Sequence, residues 1–250
     1  MPIFKHGDVE IAYLDEGQGD PIVLIHGFAS NREVNWAFPS WVTTLTGAGF
    51  RVIAHDNRGH GQSSKLYNPA DYHTDKMAED VRALLDHLDI ERADIMGYSM
   101  GARITSFLCA AHPQRVRSAI LGGLGYKLID GAGLPEDIAD ALEAPSLDDV
   151  TDPMGRTFRA FADQTKSDRR ALAACIRGSR QTMTPDEVAA IETPTLVAVG
   201  TTDEVAGPAD KLAALMPHAT VLDIPGRDHM RAVGDRVFKN GVLQFLSERA

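Results

Sequence analysis

Short, largely apolar runs separated by stretches of helical periodicity constrain this chain most. Residues 21–25, Pro-Ile-Val-Leu-Ile, carry no polar side chain. A strand with one wet face alternates; a strand covered on both faces does not need to. Residues 51–54, 93–96, 118–121, 195–199 and 220–224 repeat the signal with one or two polar residues in each. Between them, residues 75–88 place Met77, Val81, Leu84, Leu85 and Leu88 at spacings of three and four, a single apolar stripe. Residues 99–111 follow a strand directly and stop before Pro113, residues 208–216 open on a proline suited to a first helical turn, and residues 235–247 close the chain as a helix. Alternation of this kind predicts an α/β fold around a mostly parallel sheet. Ahead of it, residues 3–5 and 9–13 flank Gly7-Asp8 and read as a hairpin.

One stretch breaks the alternation. Residues 125–192 contain no buried-strand run; they hold Gly131, Gly133, Pro135, Pro145 and Pro153 and helical pieces near 156–162 and 169–179. Strands resume after Pro194. The expected organisation is therefore a core of residues 1–124 and 193–250 with a helical insertion, residues 125–192, over the sheet; ordinary crossover helices with long loops are the alternative. A chain of 250 residues, 44% hydrophobic and 24% charged, fits one such domain. Its net charge of -10 disfavours nucleic acid and anionic lipid as partners and leaves small molecules. Cys109 and Cys175 make no disulfide framework and read as small core residues of a reducing compartment. Charge and glycine within the first eight residues leave no signal-peptide core, and no apolar run approaches the roughly 20 residues of a membrane helix, so the expectation is a cytoplasmic chain with no membrane contact. Oligomeric state is not legible.

The strongest chemical signal is Gly97-Tyr98-Ser99-Met100-Gly101, between a strand and a helix. A serine there sits on a tight turn that presents its hydroxyl at the carboxyl edge of the sheet, over a helix N-terminus. The flanking glycines let strand and helix backbones approach. The bland reading is a glycine-rich turn with a solvated serine. A serine nucleophile needs a base and an orienting acid. Asp203 and His229 each follow the carboxyl end of a strand, where doubly wound sheets place their sites. Glu204 and Asp228 are the rival acids; the first lies one residue too late, the second adjoins the histidine and cannot wrap round to its ring. Backbone N–H groups of Met100 and Phe28 are the candidate oxyanion donors. His26 reads as a structural hydrogen-bonding group.

Taken together, His26-Gly27-Phe28, residues 56–63 (Asp-Asn-Arg-Gly-His-Gly-Gln-Ser), the Gly97–Gly101 turn, Asp203 and His229 resemble the α/β-hydrolase superfamily, in its small, capped, esterase-like branch. The resemblance covers nearly the whole chain outside the insertion. It implies an eight-stranded, mostly parallel sheet with the second strand antiparallel, a supporting role for residues 56–63, and a cap at residues 125–192. Relatives that dehalogenate haloalkanes or open epoxides carry aspartate where this chain has Ser99, so the implied reaction is attack on a carbonyl: ester, lactone, thioester, amide or a C–C bond beside a ketone.

No dinucleotide, Walker or zinc pattern is present, so no cofactor and no metal is expected. The substrate is the least legible feature. Trp36, Phe158, Phe161 and Met183 are candidate pocket residues, with core packing as the rival reading, and Leu172 and Ile176 share that ambiguity. Arg156, Arg159, Arg169, Arg170, Arg177 and Arg180 suit solvated helix faces, although one of them could hold a substrate carboxylate. A carboxylesterase for short or medium acyl esters, a C–C or lactone hydrolase, and a ligand receptor that retains the three side chains all remain open at this stage.

Overall fold

In the computed structural model, which describes residues 2–131 and 133–249, the chain runs through β1 (Ile3–His6), β2 (Val9–Glu16), β3 (Asp20–Ile25), α1 (Trp41–Gly47), β4 (Phe50–His55), α2 (Thr74–His87), β5 (Ala93–Tyr98), α3 (Met100–Ala111) and β6 (Val116–Gly122). Five helices follow: α4 (Lys127–Asp130), α5 (Ile138–Glu143), α6 (Pro153–Gln164), α7 (Arg169–Gly178) and α8 (Pro185–Ala189). Then come β7 (Thr195–Gly200), α9 (Ala209–Ala213), β8 (Ala219–Ile224), α10 (His229–Ala232) and α11 (Arg236–Glu248). The strands form one eight-stranded sheet in the order β1-β2-β4-β3-β5-β6-β7-β8. β2 pairs antiparallel with both β1 and β4, and every later pairing is parallel. This is the α/β-hydrolase fold.

The apolar runs of β3, β5 and β7 have the cause expected of them, whereas residues 220–224 do not: β8 is the edge strand and only its Ile224 is buried. On β3, Val23 and Ile25 enter one buried cluster while Ile22 and Leu24 enter another on the opposite face. β5 divides likewise, Ile95 against Met96, and β7, Val197 against Leu196. The first face is covered by α2 and α3 through Met77, Val81, Leu84, Ile104 and Leu108; the second by α1 and α11 through Trp41, Leu45, Phe238 and Val242. α1, rich in threonine and too short for a clear stripe, gave no sequence signal; its place is set by Trp41 packing on Phe238. The β6–β7 segment has no separate core. Leu142 of α5, Phe158 of α6 and Leu172 of α7 join the same cluster as α2 and α3.

Two loops at the carboxyl edge are stitched together by buried imidazoles. His26 donates from Nδ1 to the Gly27 carbonyl at 2.7 Å and accepts the Asn57 N–H on Nε2 at 2.9 Å. His60 donates from Nδ1 to the Arg58 carbonyl and accepts the Ala29 N–H on Nε2 at 3.2 Å. Ala29 needs this support, because it holds a φ of 60°, in the left-handed region. Asp56 accepts the N–H groups of Arg32 and Gln62 at 2.9 and 2.8 Å and pairs with the Arg32 guanidinium. Arg58 forms a two-point contact with Asp80, both bonds 2.7 Å. Residues 56–63 are thus a brace beneath the Phe28 loop.

Each brace imidazole works only while neutral, since its Nε2 must accept. Burial pushes both His26 and His60 down to about 3. In the unfolded chain these groups take up protons near pH 6.5, whereas in the folded chain they do not until about pH 3. Between those values the unfolded state binds more protons, so stability rises with pH. Denaturant unfolding from pH 7 down to pH 4 is expected to show stability falling progressively below about pH 6.5. His60→Ala should cost about 1–3 kcal/mol at pH 7 and flatten that slope; an unaltered slope counts against the brace.

Candidate active site

β5 ends at Tyr98 and α3 begins at Met100, leaving Ser99 alone on the bend with φ 55° and ψ −113°. A non-glycine residue there costs about 1–3 kcal/mol and must be held by its surroundings. Ser99 N–H donates to the Gly122 carbonyl of β6 at 2.7 Å. The flanking glycines are required sterically. A Cβ on Gly97 would lie 2.2 Å from the Gly101 carbonyl group, and one on Gly101 would lie 1.9 Å from the Ile25 carbonyl oxygen of β3.

Loops from β7 and β8 bring the next two groups. His229 Nε2 lies 2.9 Å from Ser99 Oγ, and Nδ1 lies 2.8 Å from Asp203 Oδ2. The Asp203 side chain is fully buried, and its Oδ1 accepts the N–H groups of Val205 and Ala206 at 2.8 and 3.0 Å. A carboxylate on Nδ1 fixes the proton there and leaves Nε2 free to accept from the hydroxyl. Tyr98 steadies the ring from below. Its hydroxyl donates to the His229 carbonyl at 2.6 Å, its ring centroid is 5.6 Å from the imidazole, and burial raises its phenol well above the ordinary value, so it remains a donor. The rival acids are elsewhere: Glu204 is exposed, and Asp228 caps α10 through the Met230 and Arg231 N–H groups. The trio sets a hydroxyl within hydrogen-bond reach of an imidazole nitrogen that is itself held by a carboxylate, a geometry that can activate a serine.

Ser99 stands where two cavities meet. The larger, about 150 Å³, has apolar walls from Val34, Phe158, Phe161 and Val233 and is bordered by His229. The smaller, about 40 Å³, is lined by Met100, Leu124, Arg103 and Arg180, among others. Phe28 and Leu134 border both. The N–H groups of Phe28 and Met100 have no protein acceptor among the described residues.

The four proposed pocket side chains part company. Phe158 and Phe161 line the larger cavity, Phe158 with its ring 5.6 Å from Phe28. Trp36 does not line either cavity: the turn at Glu33–Ala37 rolls it inward, fully buried, against Trp41 at 6.2 Å. The same turn presents Val34 and Asn35 to the cavity instead. Met183 is also buried away from both, its N–H bonded to the Leu128 carbonyl. Asn35, unmarked by any motif, accepts the Gly27 N–H on Oδ1 at 3.0 Å, and its Nδ2 has no protein partner among the described residues. Of the six arginines singled out in the sequence, Arg156 and Arg159 bind helix-end carbonyls, Arg169 and Arg177 pair with acids, and Arg170 lies over the Tyr67 ring. Arg180 borders a cavity. Cys109 and Cys175 are buried and unpaired, their thiols pushed up to about 12 by burial. Among the described residues no group of three His, Cys, Asp or Glu is placed to hold a metal ion, and no helix is long and apolar enough to cross a membrane.

Comparison with known proteins agrees with this architecture. The family profile described as the alpha/beta hydrolase fold matches residues 20–169. A non-heme chloroperoxidase of Kitasatospora aureofaciens is 30% identical over 99% of this chain and 100% of that protein. The crystal structure of a hydrolase from Pseudomonas aeruginosa PA01 superimposes with a TM-score of 0.82 at 27% identity, covering 98% of this chain and 97% of that one. A solved N-acyl homoserine lactone degrading enzyme gives a TM-score of 0.77 at 25% identity, covering 97% and 99%. On its sheet, its profile match and its full-length similarity to these relatives, the chain belongs to the α/β-hydrolase family.

Proposed function

We propose that this chain is a serine hydrolase, a carboxylesterase for short- to medium-acyl esters, with Ser99 as nucleophile, His229 as base and Asp203 as orienting acid. The observation that carries the reading is the continuous line Ser99 Oγ–His229–Asp203, with contacts of 2.9 and 2.8 Å. Ser99 Oγ adds to the carbonyl carbon as its proton passes to His229 Nε2. The carbonyl oxygen takes up the negative charge beside the Phe28 and Met100 N–H groups, a reading supported by their lack of a protein acceptor among the described residues. The imidazolium then delivers its proton to the leaving alcohol, and an acyl-Ser99 ester remains. Water, giving its proton to His229 and its hydroxide to the acyl carbon, releases the acid and restores the serine. A lactone meets the same steps with the alcohol still tethered, and the similarity to a lactone-degrading enzyme favours including lactones as substrates.

The base also assigns the cavities. The group that leaves must lie beside the imidazole that protonates it, and His229 borders only the larger, apolar cavity. The alcohol portion therefore occupies that cavity against Phe158 and Phe161, and the acyl portion enters the smaller one. The segment 125–192 supplies both phenylalanines, Leu134 and Arg180, and in this reading acts as the cap over a core of 1–124 and 193–250.

Ser99→Ala should abolish turnover of p-nitrophenyl butyrate and labelling by a fluorophosphonate probe. Asp203→Asn should fold normally and lose kcat by roughly 10⁴-fold; near-normal turnover would remove Asp203 from the mechanism. Phe158→Ala should raise KM for esters of aromatic alcohols by about 10-fold, the scale of one buried aromatic side chain, while methyl esters of the same acid change less. Equal loss on both would contradict the assignment of the larger cavity to the alcohol.

A further inference from the structure

The smaller cavity brings two arginines, Arg103 and Arg180, to its walls. Arg103 on α3 is 3% exposed. Its two Nη atoms donate to four carbonyls, those of Lys127 and Gly131 at 2.7 and 2.9 Å and of Gln181 and Leu128 at 2.7 and 3.4 Å. Its Nε–H has no protein acceptor among the described residues. Burial and the like charge of Arg180 push Arg103 down to about 10, which still leaves it protonated at neutral pH. Arg180 donates from Nη1 to the Leu134 carbonyl at 3.0 Å. Among the described residues its acidic neighbour is Glu136, 3.7 Å from Nε and 58% exposed. Among the described residues no Asp or Glu lines the cavity.

Arg103 keeps a desolvation cost that neutral carbonyls only partly offset, and its charge and that of the partly exposed Arg180 repel each other across the small chamber. A carboxylate entering between them removes the repulsion and forms charge-assisted hydrogen bonds, the pairing for which the planar guanidinium is shaped. The chamber opens on Ser99 and, by the argument above, receives the acyl portion of the substrate.

Resting on the hydrolase reading, we propose that Arg180, with Arg103 beside it, forms an anion subsite, and that the preferred substrates are esters whose acyl chain is short and ends in a carboxylate: half-esters of dicarboxylic acids. The alcohol portion remains apolar. Arg180 is the specificity-determining residue. Arg103, tied to four carbonyls, sets the potential and the shape of the chamber.

The test compares p-nitrophenyl hydrogen glutarate with p-nitrophenyl hexanoate. The wild-type protein should show a higher kcat/KM on the anionic ester. The ratio of the two should fall about 10- to 100-fold in Arg180→Gln, the loss expected for one charge-assisted contact, with part of it retained in Arg180→Lys. Added salt should erode the same ratio. A wild-type ratio below one, or a ratio unchanged in Arg180→Gln, overturns the subsite. Calorimetry of glutarate binding to Ser99→Ala protein, with and without Arg180→Gln, separates the two readings. Arg180-dependent glutarate binding without Ser99-dependent turnover of either ester sinks the hydrolase reading and keeps the anion site. Ser99-dependent turnover with neither charge preference nor glutarate binding does the reverse.

Discussion

The site depends on how closely three backbones meet. β5 must turn into α3 within one residue, and α3 must pass over β3 with the Gly101 Cα almost against the Ile25 carbonyl. Only then does residue 99 stand above the sheet edge rather than in it. A methyl group at Gly97 or Gly101 would push helix, strand or both aside, and the hydroxyl would move with them. The strained φ of Ser99 is a consequence of that closeness. It is maintained by the parallel strands on either side, since its own amide is bonded to β6 and the helix that follows rests on β3.

The same economy governs the other side of the proposed oxyanion site. Phe28 lies on a loop with little regular structure, and its amide can be held in place only by its neighbours. His26 and His60 do this by bonding with both nitrogens, and Asn35 fastens the Gly27 amide. Three histidines therefore lie around one small site with different duties. His26 and His60 are buried and bonded to backbone on both sides. His229 alone reaches a side-chain hydroxyl and a carboxylate.

Most of the frame was legible because burial on both faces leaves a plain mark: strands β3 to β7 each register as a largely apolar run, and α2 as a stripe, whereas β8, at the sheet edge, has only Ile224 buried and is marked only by its β-branched and aliphatic residues. Ser99, Asp203 and His229 could be selected because each follows a strand end, a place that topology fixes. Side chains in the connecting segments were harder to place. Trp36 and Val34 are two residues apart on one turn, and nothing in their order says which faces inward; a turn wound wider than an α-helix decides it. Met183 and Phe158 are both apolar residues of the β6–β7 segment, yet only the latter borders a cavity. Arg180 resembled five other arginines until the partners of those five were known. Asn35 gave no signal because its role is a contact with Gly27 across a loop.

The segment that walls the cavities shares its buried face with α2 and α3 instead of having an interior of its own. Leu172 and Ile176, on one helix, illustrate the coupling: both belong to the common cluster, and Ile176 also borders the chamber beside Ser99. A protein arranged in this way cannot easily exchange its roof for another, because the graft would have to match a floor already shaped to the old one. Exchange of the whole segment therefore carries a penalty in folding that a change of single side chains at the chamber walls avoids.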